Sequence, residues 1–211
     1  MAEAFGLVIE GLDTLKSMDD LPQDIIKSAR IAVNRAATRG RKMMADEVLR
    51  QVSLPPSYVA PAKERLFVKK NATNADLEAI INARARPTSL AQFLTKSYPP
   101  GYQPNGVRVR IQHGASRVIG GPDSSVKAFL FRLKSGADSK NNLGLAVRTS
   151  NGLPPSRAWK PAPLGDNLWL LYGPSVSQVL LDASGSKGAA VTLTPDIIEE
   201  LNNEFYRQME L

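Results

Sequence analysis

NLWLLYGPSV, residues 167–176, is the stretch on which the reading of this chain turns. Leu168, Trp169, Leu170, Leu171 and Tyr172 are apolar without a break, and Gly173, Pro174 and Ser175 stop the run. A short apolar run bounded by turn residues is the pattern of a buried strand. A glycine at its end can shape a catalytic turn or cradle a phosphate, or it can simply end the strand. The neighbouring segments discriminate between these.

Upstream of it the strand pattern repeats. VRVRI (107–111) alternates, with Val107, Val109 and Ile111 on one face and Arg108 and Arg110 on the other, as a half-buried strand does. VKAFLFRL (126–133), LGLAVR (143–148) and RLFVKK (65–70) are further strands, and the polar SGADSKNN is a hairpin loop. DLEAIINARA (76–85) fits strand or helix, and its flanks favour strand. SLAQFL (89–94) reads as a short helical turn capped by Thr88 or Ser89. Proline-rich segments at 97–106 and 151–167 read as extended arms.

Two helices frame the strands. Residues 20–52 carry Ile25, Ala29, Ala32, Val33, Ala36, Gly40, Met43 and Val48 near a 3.6-residue period, behind a cap at Asp19 or Asp20. At 1.5 Å per residue the span from about 21 to 51 is roughly 45 Å long, and its stripe is mostly Ala and Gly. Two packings stand: entirely within the chain, or partly against a neighbouring subunit. The second helix, 194–209, is expected to start at the cap Thr194 with Pro195 in its first turn. Its apolar face would be Ile198, Leu201, Phe205 and Met209. SGSKGAA (184–190) reads as a flexible connector. Helices outside a run of antiparallel strands imply an α+β fold, a mostly antiparallel sheet or small sandwich, in a single domain over 1–211.

Composition excludes several functions. The 211 residues contain no cysteine and one histidine, His113. Thiolate and multi-histidine metal sites are thereby excluded, as are disulfides and cysteine nucleophiles. No base accompanies a Ser, Thr or Lys, and the adjacent acid pairs, Asp19 with Asp20 and Glu199 with Glu200, sit at helix starts where capping explains them. VIGGPDSS (118–125) has a glycine pair but no phosphate-loop pattern after it. No enzyme, metal or cofactor is expected. No apolar run is long enough to cross a membrane, and MAEAFGLVIEGLD lacks the basic start of a signal peptide.

The net charge is +7 and unevenly spread. Residues 27–50 hold seven basic and two acidic residues, +5 net, while 195–211 hold one basic and five acidic, −4 net. Opposite ends of opposite charge can order subunits head to tail, or they can be two solvated helix faces. Arg35, Arg39 and Lys42 fall on one stripe of the long helix and are candidates to face DNA phosphates or an acidic partner.

Read in order, AVNRAATRGRKMMADEV, LPPSYVAP, RLFVKKNATNADLEAIINARARPTSLAQF, FLFRLKSG, NLGLAVR, LYGPSVSQV and the closing EFYRQMEL resemble the lambda-type phage minor tail protein Z family, the tail completion proteins. The likeness spans about residues 20–211, most of the chain. The resemblance implies a non-enzymatic virion protein, assembled in the host cytoplasm, at the head-proximal end of the tail, where it helps join tail to head. Copies would form a ring of six-fold or twelve-fold order around the DNA channel. Partners would be the tail terminator, tail tube and head-side connector, with DNA passing through without sequence readout. The alternative is a DNA-binding accessory protein using helix 27–50. Under the family reading Gly173 and Pro174 form an architectural turn near a subunit contact.

Overall fold

The computed structural model describes residues 3–7, 22–133, 143–156, 160–181 and 188–210. The fold is α+β with antiparallel sheets, as the strand and helix patterns require. The chain divides into two compact bodies. The first comprises Met1–Val48, Val59–Ala85 and Val176–Leu211, and the second Leu49–Tyr58 and Arg86–Ser175.

In the first body, strands β1 (Glu3–Leu7), β2 (Leu66–Lys70) and β3 (Ala79–Ala83) make a three-stranded antiparallel sheet with β3 in the middle. Phe5 and Val68 both pair with Ile81. The strand reading of 76–85 therefore holds, while β1 has no counterpart in the sequence reading. Lys70 Nζ lies 2.5 Å from both Asp76 Oδ2 and Glu78 Oε2 across the β2–β3 turn. Hydrogen bonding to Asp76 and then Glu78 raises the Lys70 ammonium above its ordinary value, and the bond from Lys70 lowers the Asp76 carboxyl. All three side chains are solvated, so this clamp orders the turn more than it stabilises the body.

Helix α1 (Gln23–Gln51) matches the expected long helix. Its buried residues include Ile26, Ala29, Ala32, Val33, Ala36, Ala37, Gly40, Met44 and Val48. Burial over this whole span within one chain favours the intramolecular packing of the stripe. Ile25 and Met43, assigned to the stripe by period, are half-buried, and their neighbours Ile26 and Met44 take the inner positions. Asn34 fixes the turn after β2: its Nδ2 donates to the Ala72 carbonyl at 3.0 Å, and its Oδ1 accepts from the Ala72 N–H at 2.7 Å.

Helix α2 (Val176–Leu180) precedes α3 (Ala189–Met209). Two expectations for the last helix are corrected. It starts after Gly188, so Ala189 and Ala190 belong to it and not to a connector, and Thr194 is not its cap. Thr194 Oγ1 instead donates to the Ala190 carbonyl at 2.9 Å, and Pro195 lies inside the helix. An interior proline costs about 3 kcal/mol, and the helix nonetheless extends back through the buried Ala189 and Ala190. The inner face is also rotated: Ile197, Leu201 and Glu204 are buried, whereas Ile198 and Met209 are exposed.

In the second body, β5 (Gly101–Gln103), β8 (Val126–Arg132), β9 (Leu143–Thr149), β10 (Ala162–Gly165) and β11 (Leu168–Leu170) form a five-stranded antiparallel sheet in the order β10-β11-β9-β8-β5. Two-stranded pairs are made by β6 (Val107–Val109) with β7 (Arg117–Ile119), and by β4 (Thr88–Ser89) with β12 (Tyr172–Gly173). The two expected arms each contain an edge strand: β5 lies within 97–106 and β10 within 151–167. The SGADSKNN loop falls outside the described residues apart from its flanking strands.

The run LWLLYG is divided between two sheets. Leu168–Leu170 stay on the large sheet, and Tyr172–Gly173 turn to β4. Leu171 makes the switch: its N–H donates to the Leu145 carbonyl at 2.9 Å, and its carbonyl accepts from Leu90 N–H at 3.0 Å. Residues Leu90–Phe93 are a short 3₁₀ helix with no side-chain cap. The expected caps are occupied elsewhere: Ser89 Oγ donates to the Leu143 carbonyl at 3.0 Å, and Thr88 Oγ1 receives the Tyr58 hydroxyl at 3.1 Å.

Candidate functional site

Of the basic stripe on α1, Arg35 bonds Glu204 and Arg39 bonds Glu200, both on α3. One residue number rises by four as the other falls by four, so the helices run antiparallel along this seam. Lys42, the third member, is exposed. Close helix approach is possible because Gly40 stands between the arginines and Lys42. A Cβ there would lie 3.1 Å from Ile197 Cδ1. The charge contrast seen between the two chain ends is thus satisfied in part within the first body. Arginines held by carboxylates are poorer phosphate ligands than free ones.

Glu204, which hydropathy reading passes over, is the centre of the seam. Its side chain is 4% exposed, against 48% for Arg35 and 56% for Arg207. Besides Arg35, it accepts from Arg207 Nη2 at 2.7 Å, Arg207 Nε at 3.0 Å and Gln208 Nε2 at 2.9 Å. A buried carboxylate survives because four donors replace its water. Glu204→Ala is expected to cost about 2 kcal/mol in urea unfolding, less than a fully buried pair because the freed arginines reach solvent. Arg35→Ala should cost clearly less, since Arg207 and Gln208 remain. Equal losses would mean that the seam does not centre on Glu204.

Net positive charge gathers in the second body. Its residues include 13 Lys and Arg against 3 Asp and Glu, +10 net; the first body has 14 against 17, −3 net. Every described Lys and Arg of the second body is exposed. One hollow in it, of about 480 Å³, lies among Lys96, Tyr98, Asn105 and Arg108. The Tyr98 hydroxyl accepts from the Arg108 N–H at 2.9 Å, and Lys96 Nζ sits 5.1 Å from the Tyr98 ring centre. None of the lining residues is a carboxylate or histidine, so the hollow offers cation and ring contacts and no acid–base pair.

His113 is exposed, and its Nε2 lies 2.8 Å from the Leu49 carbonyl. A carbonyl only accepts, so Nε2 is the donor in this pair. Gly173 is buried, and a Cβ on it would lie 2.7 Å from Phe93 Cε2. The need for glycine there arises within the chain; Pro174 beside it is half-buried. Among the described residues no three of His, Cys, Asp and Glu gather as metal ligands, and no helix is long and apolar enough to cross a membrane.

No family model, no curated protein and no solved structure matches this chain.

Proposed function

We propose that the chain is a non-enzymatic structural protein of a tailed-phage virion, placed at the head-proximal end of the tail and arranged as a ring that helps join tail to head. The family resemblance supplies the setting. The observation that carries a ring is the presence of two unlike surfaces on one chain. The outward side of α3 bears exposed Val191, Ile198 and Met209, with Asp196, Glu199 and Glu210 beside them. The second body bears +10. Two copies meeting through α3 alone would set acids against acids. Meeting through unlike surfaces is favourable, is heterologous, and closes into a ring when the rotation permits. Six-fold or twelve-fold order, with tail terminator, tube and connector as neighbours, belongs to this proposal.

Electron microscopy of particles from a phage lacking only this chain tests it. Filled heads beside unjoined or defective tails are expected. Normal infectious particles would overturn the proposal. A second reading, a nucleic-acid-binding accessory protein, is favoured by the +10 body. It is not favoured by α1, two of whose three stripe cations are held by carboxylates.

A further inference from the structure

We infer that the outer face of the five-stranded sheet is a binding platform for single-stranded nucleic acid, with rings for the bases and cations for the phosphates. Side chains alternate across a strand, so the register decides which residues share a face. Tyr102 pairs with Phe129, and Lys127 pairs with Arg148, which pairs in turn with Leu168. Tyr102, Lys127, Phe129, Phe131, Arg148 and Leu168 therefore share one face, together with Gly144, Ala146 and Leu170, which are buried. The other face carries Ala128, Leu130, Leu145 and Val147, all buried in the core.

On the outer face Tyr102 is 50% exposed, and its ring centre lies 5.4 Å from that of Phe129. The Arg148 guanidinium carbon stands 5.7 Å from the Phe129 ring centre. A shallow hollow of about 190 Å³ opens among Phe129, Phe131, Arg148 and Leu168. Tyr102 is exposed, Phe129 and Phe131 are half-buried, and Lys127 and Arg148 beside them are exposed; sequence-tolerant single-strand binding uses such a set, with bases stacked on the rings and phosphates on the cations.

The charge arrangement says what the face awaits. Lys127 and Arg148 stand directly opposite each other on neighbouring strands. Like charges in that position repel and destabilise a sheet. The strand residues sharing the face include no carboxylate to neutralise them. An anionic ligand removes the repulsion, and the +10 body around the face draws such a ligand in. Rings select a nucleic acid over a purely acidic peptide. A duplex keeps its bases stacked on one another and leaves the rings unused.

The test is fluorescence anisotropy of the full chain with a labelled oligothymidylate of about 15 nucleotides, long enough for ordinary single-strand site sizes. A duplex of equal length is the comparison, at about 50 and about 200 mM salt. Tighter binding of the single strand is expected, weakening with salt. Tyr102→Ala should weaken it about tenfold and Tyr102→Phe should not, because only the ring is required. Arg148→Gln should weaken it and lower the salt slope by about 0.7. Unchanged melting of these surface variants separates lost contact from lost folding. Lys42→Gln on α1 should have no effect. Absence of binding at low salt, preference for the duplex, tighter binding of polyglutamate, or a Tyr102→Ala variant that binds normally would each overturn the inference. The inference does not rest on the tail placement. An infectious phage lacking the chain would sink that placement and leave this binding intact.

Discussion

Gly173→Val is expected to destabilise the second body by about 3 kcal/mol, the upper part of the ordinary range for overfilling a packed site. A Cβ at residue 173 falls 2.7 Å from Phe93 Cε2 and 3.3 Å from two further atoms of the same ring. Phe93 cannot give way cheaply, since it is 1% exposed. Its helical turn is tied down by the bond from Arg110 N–H to the Phe93 carbonyl at 2.8 Å. Gly173 in turn is fixed by pairing with Thr88. Urea unfolding of the single variants and of Gly173→Val with Phe93→Leu checks the mechanism. The double variant should lose less than the two single losses together, because the smaller side chain vacates the space the Val needs. A Gly173→Val protein with the wild-type midpoint would mean that the glycine is not required by packing at all.

The second large effect separates two adjacent isoleucines. Ile197→Ala should cost about 3 kcal/mol, as deletion of a buried aliphatic side chain does. Ile198→Ala should stay within about 0.5 kcal/mol. Ile197 is 4% exposed and Ile198 46%. Ile197 also fills the space over Gly40, so its loss opens a cavity between α1 and α3. Equal losses at the two positions would show that α3 is rotated toward the face its hydropathy suggests.

That rotation illustrates what one-dimensional reading misses. Ile198, Leu201, Phe205 and Met209 are the apolar choice along the last helix, and a hydropathy pattern cannot place a glutamate in a core. Glu204 is nevertheless buried, because Arg35, Arg207 and Gln208 supply the donors it loses with water. Two of these lie within a turn of it, but Arg35 comes from the far end of the chain. The start of α3 was missed for a related reason. Thr194-Pro195 is a sound local start signal, and tertiary burial of Ala189 and Ala190 overrides it.

Strand alternation and apolar runs were legible where the pattern depends on one strand alone, as in 107–111, 126–133 and 143–148. The edge strands β5 and β10 were not, since Gly101, Pro163 and Gly165 have weak strand preference and pair only because a partner edge is present. The candidate site shows the same division. The Arg35, Arg39 and Lys42 stripe was visible from helical spacing, but not the carboxylates that hold its first two members. The cations and rings of the sheet face lie at residues 102, 127, 129 and 148, and only strand register brings them together.

The sequence by itself determined the α+β class, the long first helix, the inner strands of the large sheet and the exclusion of thiolate chemistry. These follow from periodicity and composition, which each segment carries locally. The tertiary structure alone decided which face of α3 is inside, that LWLLYG serves two sheets, and that positive charge gathers in one body while α1 is partly neutralised. Each of these is a pairing between residues far apart in the chain, and no local propensity encodes the partner.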